Sequence, residues 1–172
     1  MNVHDAVHTK RAVREFADRP LTEVHLAAIL EAGRRAHSAK NRQRWAFVVV
    51  RDRDRLRDLA AVGPYAGHLA GAAAAVALVT PDPGRDEPYS VMWDLGRAAQ
   101  NMVLAAWELG IGSVPATVYD QPLARRLLGY PEDQWCEFLL SFGYPADPAM
   151  LTRPRRAGRR KTLADVRHEG QW

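Results

Sequence analysis

Ala72-Ala-Ala-Ala-Val-Ala-Leu-Val-Thr80 is the stretch on which the fold class turns. Its alanines permit a helix. Val76, Leu78 and Val79 running into Pro81 favour a strand, because branched side chains suit a pleated surface and helices seldom run up to a proline. Working outward, Trp45-Ala-Phe-Val-Val-Val50 is a second β-branched run, expected to be a fully buried strand, and Cys136 to Gly143 is a third. Helical spacing fills the intervals. Val3, Ala6 and Val7 predict a short opening helix over 2–9. Thr22 reads as the N-cap of a helix carrying Leu26, Ile29, Leu30 and Gly33 on one face and ending near Ala36. Asp54 to Ala61 repeats Leu56, Leu59 and Ala60 as a further amphipathic helix.

The longest periodic segment, Tyr89 to Leu109, stops at Gly110. Leu95, Ala98, Ala99, Met102, Val103, Ala106 and Leu109 give it a wide apolar face, as expected of a central helix whose surplus face a second copy would cover. Ser113 to Tyr119 reads as an extended stretch interrupted by Pro115, and Pro122 and Gly129 frame a two-turn helix. Helices and strands alternate with no repeat and no linker across 172 residues, which implies a single domain, 1–172, of α/β or α+β class.

With 47% apolar and 26% charged residues, the chain has globular composition and is not a candidate for disorder. A lone cysteine, Cys136, cannot form an internal disulfide, so a reducing cytoplasm is the expected compartment; its apolar neighbours predict a buried structural thiol. One Cys and six scattered His do not make a zinc site. No 18-residue apolar stretch exists, and the N-terminus lacks the order of a signal peptide, so no membrane partner is expected. The net charge of +4 is unevenly spread: Arg153 to Lys161 holds five Arg and one Lys without an acid, leaving the remainder mildly acidic. Such a run is a solvated tail or a binder of phosphate or polyanion.

The familiar phosphate and nucleophile motifs fail. Gly110-Ile-Gly112-Ser-Val-Pro115 follows a helix rather than a strand and ends in proline, the wrong context for a dinucleotide turn. No Walker A or Gly-x-Ser-x-Gly sequence occurs, and His4 and His8 lack a third ligand. Two polar clusters remain. Lys10-Arg-Ala-Val-Arg-Glu-Phe16 sets three cations beside an apolar anchor, able to hold an anion or simply to form an exposed basic turn. Ser38-Ala-Lys-Asn-Arg-Gln-Arg-Trp45 offers paired donors and acceptors suited to a heteroaromatic edge, or to satisfying its own backbone.

In order, these pieces resemble the nitroreductase-like flavoproteins. The resemblance runs from Lys10-Arg-Ala-Val-Arg-Glu-Phe-Ala-Asp-Arg-Pro-Leu through Ser38 to Val50, then Asp94-Leu-Gly-Arg-Ala-Ala-Gln-Asn-Met, Leu109-Gly-Ile-Gly-Ser113, Asp120, Leu127-Leu-Gly-Tyr-Pro131, Phe142-Gly-Tyr-Pro145 and the closing Arg-Lys-Thr-Leu-Ala-Asp-Val. It implies an α+β fold, a mixed sheet flanked by helices, in a homodimer with two shared FMN clefts. It also implies phosphate or ribityl contacts from Lys10, Arg11 and Arg14 with Ala12 beside them, and approach to the flavin by His37, Ser38, Ala39, Asn41 and Gln43, several from the second chain. Thr117 and Val118 would place a backbone amide near the reactive flavin nitrogen. Arg159 and Lys161, in a basic extension over 153–172, would complete the phosphate clamp.

The implied activity is an FMN oxidoreductase that takes hydride from NAD(P)H and passes it, in ping-pong order, to small electron-poor acceptors such as nitroaromatics or quinones. No side chain need be an acid, base or nucleophile. Against the family pattern, Lys10 stands for Arg, Ala12 for Ser, His37 and Arg44 for Pro, and Pro115-Ala-Thr-Val118 lacks the usual glycine. The altered loop keeps a second class open, a flavin-binding or redox-sensing module without turnover. A nucleic-acid binder using the basic tail is a third, but no aromatic residue interleaves with those arginines, so no nucleic-acid partner is expected.

Overall fold

A computed structural model describes residues 2–84, 90–154 and 160–172. Its four strands are β1 (Ala46–Val50), β2 (Ala74–Pro81), β3 (Gly112–Thr117) and β4 (Gln134–Gly143). They form one antiparallel sheet in the order β1-β2-β4-β3. Five helices surround it: α1 (Val3–Thr9), α2 (Glu23–Arg34), α3 (Arg53–Leu59), α4 (Ser90–Glu108) and α5 (Gln121–Leu128).

The two-residue period of β2 divides the core. Ala74, Val76 and Leu78 face α2 and α4, where Ile29, Leu95, Met102 and Phe142 pack. Ala75, Ala77 and Val79 face Leu56, Leu59 and Leu69 on the other side. Burying both faces explains why Ala72 to Val79 is apolar at every position, and the α+β class follows.

The helices end where their caps dictate. Thr22 accepts from the His25 amide at 3.1 Å, Asp52 from Arg55 at 2.9 Å and Asp120 from Leu123 at 2.9 Å. Gly129, at φ 73°, closes α5 in the left-handed region. On α4, the alanines and Met102 face α2 at close range: a β-carbon on Gly33 would lie 2.1 Å from Met102 Cε. Leu95, Met102, Val103 and Ala106 of the apolar face of α4 are buried within the chain against α2 and the sheet, while Met92, Ala99 and Leu109 stay half-buried.

Two strands differ from their expected form. β1 is an edge strand paired only with β2, so Ala46 is exposed and Phe47 to Val49 are half-buried instead of fully buried. β3 runs through Pro115 without interruption because it is the opposite edge, where a missing N–H breaks no ladder bond. Cys136, on β4, is fully buried, and burial pushes its thiol up to about 12.

The chain before α2 returns to β3. Val13 N–H donates to the Ser113 carbonyl at 3.1 Å, pairing Ala12 with Ser113 in parallel register, and Phe16 bridges Pro145. This approach needs Gly112, where a β-carbon would lie 2.6 Å from Val13 Cβ. Gly112→Ala should therefore cost about 1–3 kcal/mol in urea unfolding, as overpacking does. Gly71→Ala, whose added methyl meets nothing within 4 Å, should come out near neutral in the same measurement.

Candidate functional site

The 10–14 segment lies along the outer edge of β3. Lys10 caps α1 through its amide, which donates to Ala6 O at 3.0 Å. The Arg11 guanidinium donates to the Arg153 carbonyl, while its Nε is buried with no partner. Ala12 and Arg14 border a cleft of about 370 Å³ that Asp147, Met150 and Arg153 close on the far side. Arg14 is exposed.

Strand parity shows which backbone groups that edge offers. Ser113 O is taken by Val13, and Val118 N–H donates to Glu137 O at 2.9 Å, back into the sheet. Residues alternate, so the amide of Thr117 points away from β4. Val118 is a different case from Thr117: its amide is engaged and its side chain is buried in the core with Ala116 and Leu139. Beside this edge, Pro115 joins Met92, Gly96, Ala99 and Phe138 around an apolar pocket of about 250 Å³.

The second cluster is a tight loop between α2 and β1. His37, Ala39, Asn41 and Gln43 are exposed and Ser38 is half-buried. His37, Ser38, Asn41 and Gln43, with Arg34 and Arg35, border a cleft of about 470 Å³. Lys40 and Asn41 at φ 53° and Gln43 at φ 49° are all left-handed without being glycine. Such residues cost of order 1–3 kcal/mol each and persist only where surroundings hold them. Here Ser38 Oγ accepts from the Gln43 amide at 2.9 Å, and Gln43 Nε2 donates to Asn41 Oδ1 at 3.1 Å.

The anchor from outside the loop is Asp94. Its carboxylate accepts from the Ala39 amide at 2.8 Å and lies 3.6 Å from Arg97. Sequence reasoning assigns Asp94 no role. Its signal was present, since an acid adjoins Leu95 in the buried stripe of α4.

At the cleft's other end, Glu31 binds both Arg34 and Arg35. The hydrogen bond from Arg34, then that from Arg35, brings its carboxyl down to about 2.

Ala12 and Arg14 of the 10–14 segment border one cleft, and His37, Ser38, Asn41 and Gln43 border another. Lys161 is exposed, as is everything from 160 to 172, including Leu163, Val166 and Trp172. Arg159 lies outside the described residues. No described helix is long and apolar enough to cross a membrane, and no described group of His, Cys, Asp and Glu could hold a metal.

With this geometry in place, the sequence pattern of the Nitroreductase family matches residues 7–66 and 62–144. This chain belongs to the nitroreductase family. An Archaeoglobus fulgidus protein, provisionally assigned as an NADH dehydrogenase/NAD(P)H nitroreductase, is 38% identical over 148 residues, 82% of this chain and 84% of that one. The NADPH-flavin oxidoreductase of Vibrio harveyi is 27% identical over 90% of this chain and 70% of its own. Among solved structures, a Desulfovibrio desulfuricans protein, provisionally described as a nitroreductase and crystallised with FMN, superposes with a TM-score of 0.80 at 27% identity. That match covers 100% of this chain and 99% of the other. The resemblance read from the sequence, and the α+β fold it implied, both hold.

Asp94→Ala should release the loop. Leaving the Ala39 amide unpartnered costs about 1–3 kcal/mol, to be read by urea unfolding. Faster hydrogen exchange at Ala39 and Gln43 should accompany it. Asp94→Asn, which keeps an acceptor, should fall between.

Proposed function

We propose that this chain is an FMN-dependent NAD(P)H oxidoreductase that reduces electron-poor organic acceptors as a homodimer. The observation that carries the reading is the pairing of the 10–14 segment with β3. It sets the buried, unpartnered Arg11 Nε and the cation of Arg14 along the same edge as the outward amide of Thr117. These groups fit FMN. A phosphate dianion calls for several Arg or Lys donors, and a flat ring calls for an apolar floor and a few fixed backbone groups.

In this reading Lys10, Arg11 and Arg14 hold the phosphate and ribityl end, with Ala12 beside them. The Thr117 amide faces the reactive ring nitrogen, a role its neighbour Val118 does not take. His37, Ser38, Ala39, Asn41 and Gln43 reach the ring from the second copy, because within one chain their loop borders a different cleft from Ala12 and Arg14. The 153–172 extension, belonging to the same single domain, crosses to the other copy and brings Arg159 and Lys161 to the phosphate. Its exposed Leu163 and Val166 support this, since their apolar side chains face solvent in one chain. Bound FMN supplies hydride transfer, from NAD(P)H and then to a nitroaromatic or quinone taking turns in one cleft. What the chain contributes is position and charge: cations that anchor the phosphate, a directed amide, and a strained loop that holds its side chains without a ligand.

The purified protein should be yellow, or become so with added FMN, and should oxidise NAD(P)H with menadione. A colourless protein that takes up no FMN would sink the reading. Arg14→Glu should weaken FMN at least tenfold, since a lost charge-assisted bond costs about 1.5–3 kcal/mol. Riboflavin, lacking the phosphate, should barely respond. Dilution into monomers should release FMN along with the partner.

A further inference from the structure

The stretch Arg34-Arg-Ala-His-Ser-Ala-Lys-Asn-Arg-Gln-Arg44 carries five Arg or Lys and no acid. The cleft of about 470 Å³ formed on it is lined by Arg34, Arg35, His37, Ser38, Asn41 and Gln43, again without a carboxylate. Existing bonds decide what these side chains still offer. Ser38 Oγ accepts from the Gln43 amide, and Asn41 Oδ1 accepts from Gln43 Nε2. Among the described residues no bond claims the hydroxyl proton of Ser38 or the Nδ2 group of Asn41, and both are donors.

Glu31 decides how the two guanidiniums differ. Arg34 grips its carboxylate with Nε and Nη2, at 2.6 and 2.7 Å, a two-pronged pair in which the charges balance. Arg35 gives the same carboxylate only its Nε, at 2.7 Å. Its Nη1 and Nη2 make no hydrogen bond among the described residues, and its side chain is 74% exposed. Arg35 is therefore the surplus cation of the cleft, tethered at one nitrogen and presenting two others. The C-terminus of α2 favours a cation there in any case. A cleft whose unspent side-chain groups are mostly donors asks for more: an anion with several oxygens.

The FMN phosphate has its own cations on the 10–14 segment, which borders a different cleft, so an anion here belongs to another molecule. On the oxidoreductase reading, this loop meets the flavin of the second copy, where the electron donor enters. NADH and NADPH share a pyrophosphate, whose two phosphorus centres bear one charge each. NADPH adds a 2′-phosphate monoester, with a charge of about −1.5 to −2 and three acceptor oxygens. We propose that Arg35, held by Glu31, binds that 2′-phosphate, so that the cleft selects NADPH over NADH. The inference rests on the oxidoreductase reading. Arg35 makes and breaks no covalent bond; it acts on donor binding and leaves hydride transfer alone. Glu31 is a positioning residue, since without it Arg35 keeps its charge and loses its tether.

Steady-state oxidation of both nucleotides by the FMN-loaded protein, with menadione as acceptor, tests this. Wild type should favour NADPH in kcat/KM by about tenfold or more. Arg35→Gln should lower kcat/KM for NADPH by about tenfold or more through KM, as the loss of a charge-assisted bond does, and leave NADH within about twofold. Glu31→Gln separates tether from charge. Net charge alone would make it tighten NADPH; a lost tether weakens NADPH and spares NADH. Tightening would overturn the role of Glu31. Equal losses for both nucleotides in Arg35→Gln would put the contact on the shared pyrophosphate and overturn the proposal, as would a wild type indifferent to the 2′-phosphate.

A calorimetric titration reads binding apart from turnover. Adenosine 2′,5′-bisphosphate should bind more tightly than adenosine 5′-monophosphate, and Arg35→Gln should erase the difference. A protein that oxidises neither nucleotide would sink the oxidoreductase reading, and the calorimetric comparison would still decide for or against Arg35.

Discussion

One hydrogen bond, from Val13 N–H to the carbonyl of Ser113, decides where the chemistry-bearing residues lie. β3 is an edge strand, and an edge strand keeps a row of backbone groups unspent. By spending one of them on Val13, the chain brings a cationic segment alongside the rest of the row. The cost of bringing the two backbones so near is a position where no side chain fits, and Gly112 fills it. The pairing sets the Arg14 charge along the same edge as the Thr117 amide.

The 37–43 loop is positioned by a different means. Three left-handed non-glycine residues are an unfavourable conformation for a free chain, and the loop has only short-range bonds of its own. The Asp94 carboxylate, presented from a buried helix face, ties that conformation to the core. A rigid helix therefore sets the geometry of an exposed loop, on which Asn41 and Gln43 stay exposed with their side chains bonded to each other. This is the arrangement expected of a surface that meets something outside its own chain.

The sequence made the elements readable wherever the signal was local. Thr22, Pro122 and Gly129 mark helix ends because capping is settled within a turn, and the unbroken apolar run Ala74 to Val79 of β2 announces a strand covered on both faces. What depended on neighbours far along the chain was less legible. The half-buried state of β1 and the easy passage of β3 through Pro115 both follow from standing at sheet edges, which composition does not encode. The basic and polar clusters were visible as clusters. Their fixings were not, because Asp94 reaches Ala39 across 55 positions and Val13 meets Ser113 from the other half of the chain. The left-handed run escaped notice for a related reason: it contains no glycine to mark it.

Cys136 has a consequence for the company this protein keeps. Quinones and many reduced nitro compounds are electrophiles that capture thiolates, and a thiol reacts in proportion to the fraction ionised and to its access. With its only thiol sealed in the sheet and pushed up to about 12 by burial, the chain presents essentially no thiolate at neutral pH. An enzyme turning over such compounds in its own cleft would thereby be spared alkylation by them, and its folded lifetime would owe something to a single buried sulfur.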